Sequence, residues 1–324
     1  MSLLVVDRET VKALLPLEVC IPLVRRAMAS LSAGETRQVL RQIIDLDHGN
    51  LFGIMPGAMA ESFGAKLISI FPANTAAGGQ SHQGFVALFD PASGAPVAAL
   101  HAGEITRIRT AAATAAATDA LALSDAPRLA ILGTGEQAEA HALAIAKVRR
   151  LDEIRLWGRS ASKAAVLAAR LAPLLGLPVT AAPTVREAVA GAEIVVTATG
   201  AVEPVLAGAW VAEGAHVNLV GSSHAGPREV DDALVVRGRL FADHREGVLR
   251  QGAEFLHAKA QGLIDDAHVL GEIGAVFSGA NQGRLSASEV TLYKSLGSIV
   301  QDLAAGWHVY RQAVAQGLGS RVAF

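Results

Sequence analysis

The run of residues with the most definite chemical meaning is Gly133-Thr134-Gly135-Glu136-Gln137-Ala138, directly after the apolar stretch Leu129-Ala130-Ile131-Leu132. It matches G-x-G-x-x-G/A between a strand and a helix, the context in which that spacing binds a dinucleotide. Gly133 permits the tight turn, Gly135 lets the backbone approach a pyrophosphate, and Ala138 keeps helix and strand close. The N–H groups of the helix N-terminus then face the anion. A second strand ends at Leu156-Trp157-Gly158-Arg159-Ser160, where a site selective for NAD would place an acid on the ribose 2′-hydroxyl. Arg159 and Ser160 instead suit a 2′-phosphate, so NADPH is expected in preference to NADH.

Other chemistries lack their residues. No G-x-x-x-x-G-K-[ST] occurs. The ten histidines form no H-E-x-x-H, and Cys20 is the only cysteine, so neither a metal site nor a disulfide within the chain is expected. Gly79-Gln80-Ser81-His82-Gln83 and Gly221-Ser222-Ser223-His224-Ala225 approach a nucleophile elbow but lack its closing glycine. Lys and Arg total 28 against 30 Asp and Glu, with no run of five like charges, so nucleic acid is not an expected partner. The longest uncharged stretch, Leu67 to Phe89, is broken by Pro72, Asn74, Gly79 and His82, and nothing reads as a membrane span. Asp7-Arg8-Glu9 interrupts the apolar start, so no signal peptide is read and a reducing, cytoplasmic setting is expected.

The elements that must position these residues change character along the chain. A helix is expected from about Leu14 to Ala33, then strands at Val39 to Ile44, Leu51 to Ile54, Ala65 to Phe71 and Gly84 to Phe89. The turn Asp90-Pro91-Ala92-Ser93-Gly94 makes Pro96 to Leu100 the hairpin partner of the last strand. An alanine-dominated helix is expected from Arg109 to Leu123. From Ser124 strands and helices alternate: strands at Leu129, Glu153, Val179, Ile194, His216 and Arg239, with helices at Gln137, Ser162 and Val185 between the first four. Such alternation predicts a parallel sheet with helices on both faces. Val290 to Tyr293 then leads into a last helix through about Gln316. The fold class expected is α/β, a Rossmann dinucleotide-binding domain with a second α+β domain.

Several motifs in order resemble the ornithine cyclodeaminase/mu-crystallin family. They are Ile54-Met55-Pro56-Gly57, Gly64-Ala65-Lys66-Leu67 with Phe71-Pro72-Ala73-Asn74, and Ile105-Thr106-Arg107-Ile108-Arg109-Thr110-Ala111-Ala112. The resemblance continues through the glycine-rich turn, Val220-Gly221-Ser222, Arg228-Glu229-Val230-Asp231, and Val290 to Gly297 through Asp302, covering nearly the whole chain. It implies a substrate and dimerisation domain over residues 1–124, completed by 298–324, a Rossmann domain over 125–297, and a homodimer.

The family's substrates are small α-amino, α-imino or α-keto acids, and the resemblance places Arg41, Lys66 and Arg109 on their carboxylate, with Met55 alongside. Lys66 is expected to serve as acid and base, although periodicity alone would leave it a strand lysine facing solvent. Arg109 would open its helix, where the dipole disfavours a cation unless an anion lies nearby. Ser81 falls where the cyclodeaminase has a threonine near the nicotinamide. The same resemblance puts Arg109, Thr110, Thr197, Thr199, Val220, Gly221, Ser222 and Ser295 at the cofactor with the glycine turn. An ornithine cyclodeaminase carries an aspartate, which holds the distal amine, at the position of Ser223. A neutral serine neither attracts that ammonium nor takes its proton, which argues against cyclodeamination. Glu229, Asp231 and Asp232 are expected to be structural, capping or polar-surface acids.

The activity expected is NAD(P)H-dependent reduction of a cyclic ketimine such as Δ1-pyrroline-2-carboxylate or Δ1-piperideine-2-carboxylate, giving proline or pipecolate. Alanine-dehydrogenase-like deamination, dehydration of cis-3-hydroxyproline and ornithine cyclodeamination are the alternatives within the family. Mu-crystallin-like binding of NADPH and a small ligand is the alternative of another class.

Overall fold

The computed structural model describes residues 2–77 and 79–323. Strand β1 (Ser2–Val6) leads to Asp7, whose carboxylate accepts from the Thr10 N–H and starts α1 (Arg8–Leu14). Leu15 leaves helical geometry and Pro16 precedes α2 (Leu17–Ser32), which fills the helix expected from about Leu14 to Ala33, while α1 lies ahead of that span. A proline is favoured at the start of a helix, and α2 also carries Pro22 in its second turn. Strands β2 (Arg37–Gln38), β3 (Gln42–Asp45), β4 (Leu51–Ala58), β5 (Phe63–Ile70), β6 (His82–Phe89) and β7 (Pro96–His101) follow.

Strands β4 to β7 pair antiparallel in sequence, and β1 adds parallel to β7. The register sets Lys66 on β5 between Met55 on β4 and Val86 on β6. Strands β5 and β6 approach closely at Gly64, where a Cβ would run into the backbone carbonyl of Ala87. Helix α3 (Ala102–Leu121) springs directly from β7, earlier than the expected start at Arg109. His101 Nδ1 accepts the N–H of Glu104, and Glu104 adds a favourable charge to that first turn.

The chain then alternates through β8 (Arg128–Leu132), α4 (Glu136–Ile145), β9 (Glu153–Trp157), α5 (Ala161–Leu175), β10 (Val179–Ala181), α6 (Val185–Val189) and β11 (Ile194–Thr197). It continues through β12 (His216–Leu219), α7 (Asp232–Arg237), β13 (Arg239–Ala242), α8 (Arg245–Gln251), α9 (Ala253–Ala260), β14 (Val269–Glu272), α10 (Ile273–Phe277) and β15 (Thr291–Lys294). The parallel order is β10-β9-β8-β11-β12-β15-β13-β14. Ile131, Leu132, Val195, Val196, Val217 and Leu219 are all buried, as expected of strands covered on both faces. The order reverses at β8, with β9 on one side and β11 on the other. Ligands of such sheets bind outside the carboxyl ends of the strands at that reversal.

The chain ends with α11 (Ile299–Gln316), which packs across β4, β5 and β6, and β16 (Ser320–Ala323), antiparallel to β1. Neither β1 nor β16 is legible in the sequence, because each is short and pairs with a strand at the other end of the chain, although Gly317 and Gly319 turn the chain into β16. Two compact units result, Met1–Arg109 with Ser298–Phe324, and Thr110–Gly297. The division falls inside α3 rather than at the expected 124/125. No helix among the described residues is long and apolar enough to cross a membrane.

Gly64→Ala is expected to cost on the order of 1–3 kcal/mol, because backbone rather than a movable side chain must yield. The check is a lower urea midpoint with an unchanged m value; an unchanged midpoint would show that β5 and β6 can separate freely there.

Candidate active site

Lys66 lies on the inward face of β5 and is only 2% exposed, so burial overrides the solvent-facing position that periodicity alone suggests. Its Nζ donates to both oxygens of Asp302, at 3.0 and 3.1 Å, and to Thr106 Oγ1 at 3.4 Å. Arg109 Nε donates to Asp302 Oδ1 at 3.2 Å, and its Nη1 to Gln301 Oε1 at 2.8 Å. Asp302 is fully buried in the first turn of α11, where the helix dipole favours a carboxylate. Arg109 therefore does not open α3. It sits two turns in, and the anion beside it is a carboxylate of the protein itself.

Two buried cations share this carboxylate, and the cluster holds an excess of positive charge. Burial pushes the Lys66 ammonium down to about 7, with the charges of Arg109 and Arg41 adding to the effect against the pull of Asp302. Burial acts to raise Asp302, but the charges of Arg109 and Lys66 outweigh it and hold the carboxyl below its ordinary range. Such a cluster is suited to a small monoanion, and a lysine poised near neutrality can both give and take a proton. Met55 is buried opposite Lys66, and Arg41 lies half-buried between β2 and β3. Ser81 is half-buried, with its Oγ 2.8 Å from His82 Nδ1.

In the other unit, the residues Trp157, Leu132, Thr197, Leu219 and Lys294 form one level row across the parallel strands. The loops leaving that row begin at Gly158, Gly133, Ala198, Val220 and Ser295. Gly133 has φ +134°, and a Cβ there would strike the carbonyl of Ala198. Gly135 is the N-cap of α4, and beyond its chain neighbours no atom lies within 4 Å of where its side chain would be, which leaves room beside the N-terminus of that helix. Gly158 passes under Thr134, where a Cβ would meet Thr134 Cγ2 at 2.5 Å. Arg159 is exposed and Ser160 caps α5 by accepting from Lys163 N–H. Glu136 opens α4, and Gln137 follows with its Oε1 buried and unpartnered.

Glu229 gathers the loops after β11 and β12. It accepts from Thr197 Oγ1 at 2.6 Å, Thr199 N at 2.7 Å, Thr199 Oγ1 at 2.8 Å and Gly221 N at 2.7 Å. The hydroxyl proton of Thr197 is thus committed to Glu229 inside the protein. Thr110, Val220 and Ser222 are buried, and Ser223 is half-buried. Ser295 Oγ is buried with no partner. Open backbone at Gly135 together with two orphaned polar atoms fits a dinucleotide. Asp231 caps α7, while Asp232 lies 2.8 Å from His257 Nδ1.

Asp302 is the residue the sequence reading missed; it lies in a quoted motif, but no local signal ties it to Lys66. The buried ion pair Lys294–Glu254, at 2.7 Å, was missed as well, since nothing in a short helix marks one acid as buried. Among the described residues no group of three or more His, Cys, Asp or Glu could hold a metal ion.

Residues 2–317 match the ornithine cyclodeaminase/mu-crystallin family over nearly all of the chain. The chain belongs to that family. Ketimine reductase mu-crystallin of Mus musculus is 34% identical over 90% of each chain. A solved structure of Thermococcus litoralis Δ1-pyrroline-2-carboxylate reductase with NADH and L-proline is 32% identical. It covers 99% of this chain and 100% of that one, at a TM-score of 0.96. An archaeal alanine dehydrogenase dimer with bound NAD is 26% identical over all of both chains, at a TM-score of 0.95. This family member accordingly has the α/β class expected of it, with a sheet of parallel strands.

Asp302→Asn would leave Lys66 and Arg109 buried without a full counter-charge, at a cost of about 3–5 kcal/mol in unfolding free energy. Lys66 also carries a pH signature. Its folded value lies below its unfolded one, so stability should rise between pH 7 and about 10.4 as the unfolded state alone holds the proton. Denaturant titrations should show that rise in the wild type and not in Lys66→Met; an equal slope in both would detach Lys66 from it.

Proposed function

We propose that the protein is an NAD(P)H-dependent ketimine reductase, converting Δ1-pyrroline-2-carboxylate to L-proline or the six-membered homologue to L-pipecolate. The observation that carries this reading is the buried Lys66–Asp302–Arg109 cluster, with two cations on one carboxylate. A substrate carboxylate supplies the missing negative charge, gripped by Arg109 and Arg41 with the forked geometry of guanidinium groups. The nicotinamide, when bound, supplies the hydride that reduces the C=N carbon. Lys66 holds the proton for the ring nitrogen, and Asp302 keeps the ammonium aimed while the proton is present. A cyclic amine and the oxidised dinucleotide result, with one hydride and one proton consumed.

Ser223 supports a ring with no distal charge, since a serine there offers no acid to a second ammonium. Met55 beside Lys66 gives such a ring an apolar wall. The dinucleotide belongs on the glycine turn, and the absence of an acid at Gly158-Arg159-Ser160 favours NADPH, with NADH also used. The protein acts as a homodimer in this reading. Ile43 and Ile44 on β3, with Val39 and Leu46 beside that strand, are exposed apolar residues that a second copy would cover.

Purified protein should oxidise NADPH with Δ1-pyrroline-2-carboxylate, and Lys66→Met should lose about 10²-fold or more in kcat while still binding the dinucleotide. Because reduction needs protonated Lys66, kcat/KM should fall as pH rises through about 7. Retained turnover in Lys66→Met would remove the lysine from the mechanism, and silence with every cyclic imine would defeat the reductase. Arg159→Asp should turn the preference toward NADH; unchanged KM values for both dinucleotides would refute the 2′-phosphate contact.

A further inference from the structure

The carboxyl ends of β11, β12 and β15 stand level, with Thr197, Leu219 and Lys294 in one register line. By the rule for open parallel sheets, a dinucleotide lies across the strand ends at the reversal of order. Its adenosine half falls toward β9 and its nicotinamide half toward β11 and β12. Behind these last two strands runs a connected set of buried charged groups that the reduction chemistry does not use. Glu229 holds Thr197, Thr199 and Gly221 through four donors. Its own N–H is 3.3 Å from Glu254 Oε1. Glu254 pairs with Lys294 at 2.7 Å, and Lys294 Nζ donates to the backbone carbonyl of Ser222, also at 2.7 Å. Lys294 and Glu254 are each 2% exposed and Glu229 is fully buried.

We propose that Glu229, Glu254 and Lys294 form a positioning relay that fixes the backbone of 197–199 and 221–222 as the seat of the nicotinamide half of the dinucleotide. Three buried charges are a costly way to brace two loops. Apolar side chains of similar volume would hold the sheet equally well. What they could not do is fix a carbonyl and two backbone N–H groups at set points. The relay leaves Ser295 Oγ, next to Lys294, buried and unpartnered at the same strand ends. A hydroxyl in that state has a hydrogen bond to offer to a ligand. None of the three acts on substrate; each works through the loops that it ties.

The inference rests on the dinucleotide reading of the site, and its test separates the two halves of the ligand. In the double variant Lys294→Met with Glu254→Gln the buried charge pair is removed together, and the glutamine still accepts from Glu229 N–H. Fluorescence titration with NADH and calorimetry with ADP, both on the full chain, are the readouts. The relay predicts a Kd for NADH raised tenfold or more, a Kd for ADP within twofold of wild type, and a thermal midpoint within a few degrees. Glu229→Gln, which keeps side-chain length and turns an acceptor into a donor, should give the same split. It serves should the double variant fail to fold. Unchanged NADH affinity in a folded variant would overturn the relay, as would equal losses for NADH and ADP, which mark a general structural role. An unmodified protein that binds neither NADH nor NADPH would overturn the dinucleotide reading and the relay with it.

Discussion

The carboxylate of Asp302 is the interaction on which the first unit depends. Lys66 comes from β5 and Arg109 from α3, with β6 and β7 between them in the chain, and both cations are buried. Two such charges without a counter-ion would be worth several kcal/mol against folding. Asp302 arrives from 236 residues beyond Lys66, after the whole of the second unit has been made. The unit is therefore discontinuous for an electrostatic reason as well as a packing one. Helix α11 covers β4, β5 and β6 with apolar side chains, and its first turn carries the acid that allows Lys66 to face inward.

The second unit solves a different problem with the same economy of acids. Parallel strands bring five chain segments to one level edge, and each must then leave it by a loop that presents backbone to a ligand. On the β8 side, glycine does this: Gly133 and Gly158 pass where any Cβ would collide. On the β11 and β12 side the loops are tied by a buried glutamate. Gly221 is needed there as well, because a Cβ would strike the Glu229 carboxylate that receives its N–H. Steric absence shapes one half of the edge, and hydrogen bonds to a fixed acceptor shape the other.

Legibility followed the range of the interaction. The glycine turn, the strand before it and the helix after it were readable because the spacing that marks them lies within ten residues, although the close approach of Gly133 to Ala198 does not. Strand β9 is legible to both its ends, Glu153 and Trp157, since its alternation and its flanking turns are local. The inward face of Lys66 was not readable, because lysine belongs outside unless a partner is present and that partner is distant in sequence. The start of α3 was misplaced because its N-terminal signal is a histidine ring at His101 rather than a serine or aspartate. Thr197 was placed at the cofactor by resemblance, while its hydroxyl bond to Glu229 depends on a contact across 32 residues. Glu229 itself was read correctly as structural, though its hold on two loops could not be seen.

The choice of lysine over arginine at position 66 ties these observations to chemistry. An arginine would pair with Asp302 at least as well, through two parallel bonds, but would keep its charge throughout the accessible pH range. Lysine gives up charge when buried, and the second cation at Arg109 pushes it further in that direction. The pair divides the work accordingly: the guanidinium holds permanent charge for an anion, and the ammonium is left free to change its protonation. Asp302 makes both states tolerable. It neutralises one cation when Lys66 is charged, and it still has Arg109 as a partner when the lysine has lost its proton, so transfer does not strand the carboxylate alone in the core.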